Sequence, residues 1–157
     1  MQEHQYKSMI TWTGNKGSGT KSYKDYDRDY NILIEGKPTL SGSSDTAFRG
    51  NAERHNPEDM LLASISSCHM LWYLHLCSVN KIIVTDYSDP AVATMVMNPD
   101  GSGQFASATL YPHVTITSDS NVQKAKDLHH EANKLCFIAR SVNFPVEHVP
   151  TINSIQT

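Results

Sequence analysis

Three thiols set the chemical possibilities of this sequence: Cys68, Cys77 and Cys136. Cys68 falls near the middle of an apolar run, in Ser66-Ser67-Cys68-His69-Met70, and Cys136 falls late in a second segment with helical spacing. Two thiols on two helices are what a dithiol redox site needs, provided their Cα atoms approach to within about 7 Å. Cys136 is the candidate partner of Cys68. Cys77, nine residues on, is half a turn out of phase and faces the opposite side of the helix, so it reads as a structural thiol. The neighbours of Cys68 on its own face are Ser64, Ile65, Leu71 and Trp72. Apolar surroundings raise a thiol pKa and leave the cysteine inert unless a cation is near.

Eight histidines are many for 157 residues, and His69, His75, His129 and His130 fall near the thiols in sequence. His129 precedes Cys136 by seven residues, and Cys68 precedes His75 by the same number. That spacing shares a face but leaves about 10 Å along the axis. Neither the i, i+4 spacing of a helical chelate nor a C-x-x-C occurs, so no metal is expected. The loop Gly14-Asn15-Lys16-Gly17-Ser18-Gly19 lacks the Lys-Ser/Thr of a phosphate loop and reads as a turn. No cofactor is implied.

The elements that would position the thiols follow from pattern. Asn56-Pro57-Glu58-Asp59 is a helix start: an Asn cap, Pro at the first helical position, and acids at the positive end of the dipole. The helix should run to about Cys77. It is apolar on nearly every side, which predicts burial all round. Residues 60–80 hold no Asp, Glu, Lys or Arg, a length that could span a bilayer. Ser64, Ser66, Ser67, His69, His75, Ser78 and Asn80 interrupt it, so a buried central helix is expected and no membrane. A second helix is expected after caps at Ser118–Ser120, with the stripe Val122, Ala125, Leu128, Ala132, Leu135, Cys136 and Ala139. Strands are expected over residues 7–13, 30–35, 82–87, 91–97, 104–117 and 144–152, with Ser41–Asp45 a loop. This order is α+β.

The chain length suits one domain, residues 1–157. Net charge is −3 and basic residues are scattered, so no nucleic-acid partner is expected. The N-terminus Met1-Gln2-Glu3-His4-Gln5 has no apolar core and does not read as a signal peptide. Free thiols without an export signal point to a reducing cytoplasm.

The run Asn56-Pro57-Glu58-Asp59-Met60-Leu61-Leu62-Ala63 followed by Ser67-Cys68-His69-Met70 resembles the OsmC/Ohr family of osmotically induced and organic-hydroperoxide-resistance proteins. Cys136-Phe137-Ile138 with Ser141-Val142-Asn143 looks like that family's second cysteine segment, and Trp12-Thr13-Gly14 and Phe48-Arg49-Gly50 also match. The resemblance covers essentially the whole chain. It implies an intertwined homodimer, with two central helices packed against antiparallel β-sheets and active sites at the interface. It further implies a thiol peroxidase in which Cys68 attacks an organic hydroperoxide and becomes a sulfenic acid. Cys136 then closes a disulfide, and a dithiol reductant of lipoyl or thioredoxin type reopens it. The family holds its thiolate with an arginine and that arginine with a glutamate. Glu58 matches the glutamate. Arg28 is the expected arginine, with Arg49 and Arg54 as alternatives. Ten residues of helix place Glu58 about 15 Å from Cys68, so one arginine bridges them only from an irregular helix start or from a second subunit. The competing reading is a non-catalytic family member that binds a small apolar ligand at the dimer interface.

Overall fold

A computed structural model of the chain describes residues 2–155. Met1, Gln156 and Thr157, the ends of the expected 1–157 domain, lie outside the described residues. The elements are β1 (Met9–Trp12), β2 (Tyr30–Leu33), β3 (Leu40–Gly42), α1 (Pro57–Val79), β4 (Val84–Ser88), β5 (Val92–Met97), β6 (Gly103–Leu110), β7 (His113–Thr117), α2 (Val122–Leu135), β8 (Val146–His148) and β9 (Thr151–Ile155). The class is α+β, as expected. Chain contacts group into two compact units, Met1–Leu61 and Leu62–Thr157, with α1 running through the boundary.

The first unit carries the antiparallel meander β1-β2-β3, with Trp12 opposite Tyr30 and Ile32 opposite Leu40. β3 falls partly where a loop was expected; it is only three residues long, too short to show a strand period. The Trp12 indole donates to the Asp27 carbonyl at 2.8 Å. Gly14 sits under that carbonyl, where a Cβ would come within 1.9 Å of the Asp27 oxygen. Asp45 accepts from the Ala47 N–H at 2.7 Å and caps a single 3-10 turn, Thr46–Phe48. Gly50 follows because a Cβ there would meet the Ser44 carbonyl oxygen at 1.5 Å. Asn56 caps α1 as expected, its side-chain oxygen accepting from the Asp59 N–H at 2.7 Å.

The second unit holds two three-stranded sheets, β4-β7-β9 and β5-β6-β8. Each pairs one antiparallel and one parallel neighbour, with β7 parallel to β9 and β6 parallel to β8. The expectation of antiparallel sheets is thus corrected to mixed ones. The cause is α2, a crossover that brings the chain back to enter β9 in the direction of β7. The expected strand 104–117 is two strands, broken at Tyr111-Pro112, and the expected strand 144–152 is β8 and β9, broken at Val149-Pro150. Proline cannot donate to a ladder, so each break lets the chain change sheets.

The expectation that α1 is buried all round is also corrected. Its fully buried residues are Ile65, His69, Tyr73 and Cys77, spaced by four along one stripe. Leu71 and Val79 stay exposed at 63% and 62%. One chain supplies packing to only one side of this helix. By length and composition alone α1 could cross a membrane. The inward stripe packs Tyr73 and Cys77 with Ile82, Val114, Ile116, Ala125, Leu128 and Ala132. α2 starts at an Asn121 cap, which accepts from the Lys124 N–H at 2.8 Å, one residue beyond the expected Ser118–Ser120. It ends at Leu135, so Cys136 is not inside a helix. Its backbone is extended (φ −65, ψ 109) and it forms the C-cap.

Candidate active site

Cys68 lies half-buried on α1. Cys136 is fully buried just past the end of α2, and all three cysteines are free thiols. Cys68 is a close enough neighbour of Cys136 to help raise its thiol pKa. Burial pushes the Cys136 thiol up to about 11, against the pull of the Ala139 N–H, which donates to its sulfur at 3.4 Å. Near neutral pH Cys136 is therefore a protonated S–H beside Cys68. Cys77 is buried in the core beneath, and burial raises its thiol too.

Aromatic rings flank the pair. Trp72, one turn after Cys68, stands edge-on to Phe137 at 5.6 Å and to His75 at 5.9 Å. Phe137 is 67% exposed. Ser66 donates to Asp89 at 2.5 Å, and the other oxygen of Asp89 accepts from the Tyr111 N–H at 2.7 Å. This ties the Cys68 turn of α1 to the β4–β5 connection. The Asp89 tie was not foreseen, since Ser88-Asp89-Pro90 reads locally as nothing more than a strand break.

The expected arginines and Glu58 belong to the first unit. Arg28 donates to the carbonyls of Tyr26 at 2.6 Å and Tyr23 at 2.8 Å, and its guanidinium lies over both rings at 4.1 and 4.3 Å. Arg49 has a left-handed backbone (φ 65) and lies 5.8 Å over Tyr23. Arg54 pairs with Asp29 at 3.2 Å. Among the described residues no ion pair joins Glu58 to an arginine. Its Oε2 is buried with no hydrogen-bond partner, and burial followed by the charge of Glu58 raises the Tyr30 phenol. The helix start is regular, with the Met60 N–H donating to the Asn56 carbonyl at 3.2 Å.

The histidines meet across helices, not along one. His69 of α1 and His129 of α2 touch through ring nitrogens 3.0 Å apart, and both are fully buried. A search along one helix for chelating spacing misses a pair sixty residues apart.

A family profile described as OsmC-like protein matches residues 50–149. The fold is similar to that of an OsmC-like protein of unknown function from Vibrio cholerae, at 26% identity and TM-score 0.85, covering 95% of this chain and all of that one. It is also similar to an organic hydroperoxide resistance protein OsmC from Legionella pneumophila (17% identity, TM-score 0.66, 96% and 99% covered). The organic hydroperoxide resistance protein OhrB of Bacillus subtilis is a third such structure (16% identity, TM-score 0.63, 96% and 98% covered). No curated protein matches the sequence.

Proposed function

Since the chain belongs to the OsmC-like protein family, we propose that it reduces organic hydroperoxides with Cys68 and Cys136. The observation that carries this reading is the proximity of a half-exposed cysteine to a fully buried one whose thiol it helps to hold protonated. The exposed partner meets substrate and the buried one waits. The Cys68 thiolate attacks the distal peroxide oxygen, the O–O bond breaks, and the alkoxide takes a proton from water and leaves as alcohol. Cys68 is then a sulfenic acid. The Cys136 sulfur attacks it, the S–S bond forms, and the hydroxyl leaves as water with the Cys136 proton. A dithiol of lipoyl or thioredoxin type exchanges with the disulfide, becomes oxidised itself, and restores both thiols.

The cation that favours the Cys68 thiolate is assigned to Arg28, with Arg49 and Arg54 as the alternatives. Alkylation rates of Cys68 against pH in the three alanine variants separate them: the variant whose Cys68 pKa rises identifies the arginine. The unpartnered Oε2 of Glu58 suits it to hold an arginine, and the regular helix start points to an arginine of a second copy. A homodimer would also cover the exposed flank of α1 at Leu71 and Val79. A reducing cytoplasm suits three free thiols.

Trp72 and Phe137 offer apolar surface to a peroxide tail, and hydrogen peroxide has none. With a dithiol donor, kcat/KM for cumene hydroperoxide should exceed that for hydrogen peroxide by at least about tenfold. The same preparation should scatter light as twice the 17.5 kDa chain. Equal rates for the two peroxides would remove the substrate class, and absence of turnover with either would favour a ligand-binding role.

A further inference from the structure

The buried imidazole pair has a geometry that packing alone does not require. His69 Nε2 and His129 Nδ1 are 3.0 Å apart, while the ring centroids are 5.3 Å apart and the planes differ by 6°. So short a contact with so large a centroid separation means that the rings lie end to end in nearly one plane. One ring nitrogen donates and the other accepts. Tyr73 lies flat against His129 at 3.7 Å and 10°, and His148 of β8 stands 5.6 Å from His69. The outer nitrogens, His69 Nδ1 and His129 Nε2, are buried without partners. Each such group costs about 1–3 kcal/mol, so two apolar side chains of the same shape would be the more stable filling. What a hydrogen bond adds over apolar packing is a fixed distance and direction.

The place of that bond is informative. His69 follows Cys68 directly, and His129 lies two turns before Cys136. α1 thus meets the α2 segment at two places, a hydrogen bond between imidazoles and, two turns along α2, the neighbouring thiols. We propose that the His69–His129 hydrogen bond is a positioning device for the dithiol: it holds α1 and α2 at the separation at which Cys68 and Cys136 close to a disulfide. It raises the effective concentration of one thiol at the other and touches neither substrate nor reductant. This rests on the Cys68–Cys136 pairing proposed above.

The test is the equilibrium of the dithiol with a dithiothreitol redox buffer, which needs no peroxide. His69→Gln places an amide at the Nε2 position and should keep the parent equilibrium constant within about threefold. His69→Asn has the same chemistry but cannot reach, and should favour the reduced form by about tenfold, a shift of about 30 mV. His129→Leu should do the same, and Ile116→Val, a change in the same core cluster that removes no hydrogen bond, should leave the constant unmoved. Parent-like constants in both His69→Asn and His129→Leu would overturn the inference, as would an equal shift in Ile116→Val. If His129→Leu fails to fold, the Gln and Asn pair decides alone. A parent in which Cys68 and Cys136 never pair would sink the proposed function and this inference together, whereas a normal parent with unmoved variants sinks this inference only.

Discussion

Cys68→Ser should lose organic-peroxide reduction by at least about a thousandfold, the scale seen when a covalent nucleophile is removed. A hydroxyl at this position has no accessible ionised form near neutral pH and cannot store the oxygen as a sulfenic acid. Cys136→Ser should behave differently. It retains the half-exposed Cys68, so it should consume about one equivalent of peroxide rapidly and then stall, because nothing buried at the end of α2 can close the disulfide. Stopped-flow consumption with and without a dithiol donor distinguishes the two. If Cys68→Ser keeps more than a few per cent of parent activity, the nucleophile lies elsewhere. Cys77→Ser should leave turnover within about twofold at matched folded protein, because its side chain belongs to the core with Tyr73 and Val114.

Stability should fall steeply in mild acid. Burial, with the neighbouring His148, lowers His69 from 6.5 to about 4, and burial, with His69 and His148, lowers His129 to about 3. Burial also lowers His148, with His130 adding to it. All of these folded-state values lie below the unfolded one. Above pH 6.5 neither state is protonated and the full stability is present. As the pH drops through 6.5 the unfolded chain binds protons that the folded chain refuses, so stability is lost downward toward pH 4. Two such sites give a slope approaching about 2.7 kcal/mol per pH unit, or roughly 4 kcal/mol between pH 6.5 and 4.5. That is a large share of the 5–15 kcal/mol that holds a typical domain together. Urea midpoints at pH 7.5, 6, 5 and 4.5 measure it, with the interval from 6.5 to 5 lying above the range where most carboxylates titrate. His129→Leu should about halve the slope. A midpoint that does not move between pH 7.5 and 4.5 contradicts the burial of neutral imidazoles.

The parts of the structure that local chemistry writes were legible in the sequence. Asn56 caps α1 because an Asn oxygen before Pro-Glu-Asp has few other uses, and β1, β2, β4 and β5 lie where alternation or β-branched runs put them. The end of α2 was not legible. The apolar spacing continues through Leu135, Cys136 and Ala139, and no Gly or Pro marks the stop. Cys136 nevertheless leaves the helix with an extended backbone. Parallel pairing of β7 with β9 was equally hidden, because strand partners are chosen across α2 rather than along the chain. The one-sided burial of α1 follows from what a single chain can supply, a quantity that helical periodicity does not contain. In the site, helical phase set Cys77 aside and left Cys136 as the candidate partner of Cys68, and the family resemblance supplied their roles. Their proximity is nonlocal, as is the meeting of His69 and His129.

The most direct test of the thiol pair is peptide mapping after one equivalent of cumene hydroperoxide, with free thiols blocked before digestion. The account predicts a Cys68–Cys136 bridge with Cys77 blocked as a free thiol. A bridge that contains Cys77, or three blocked thiols after the peroxide has been consumed, would contradict it.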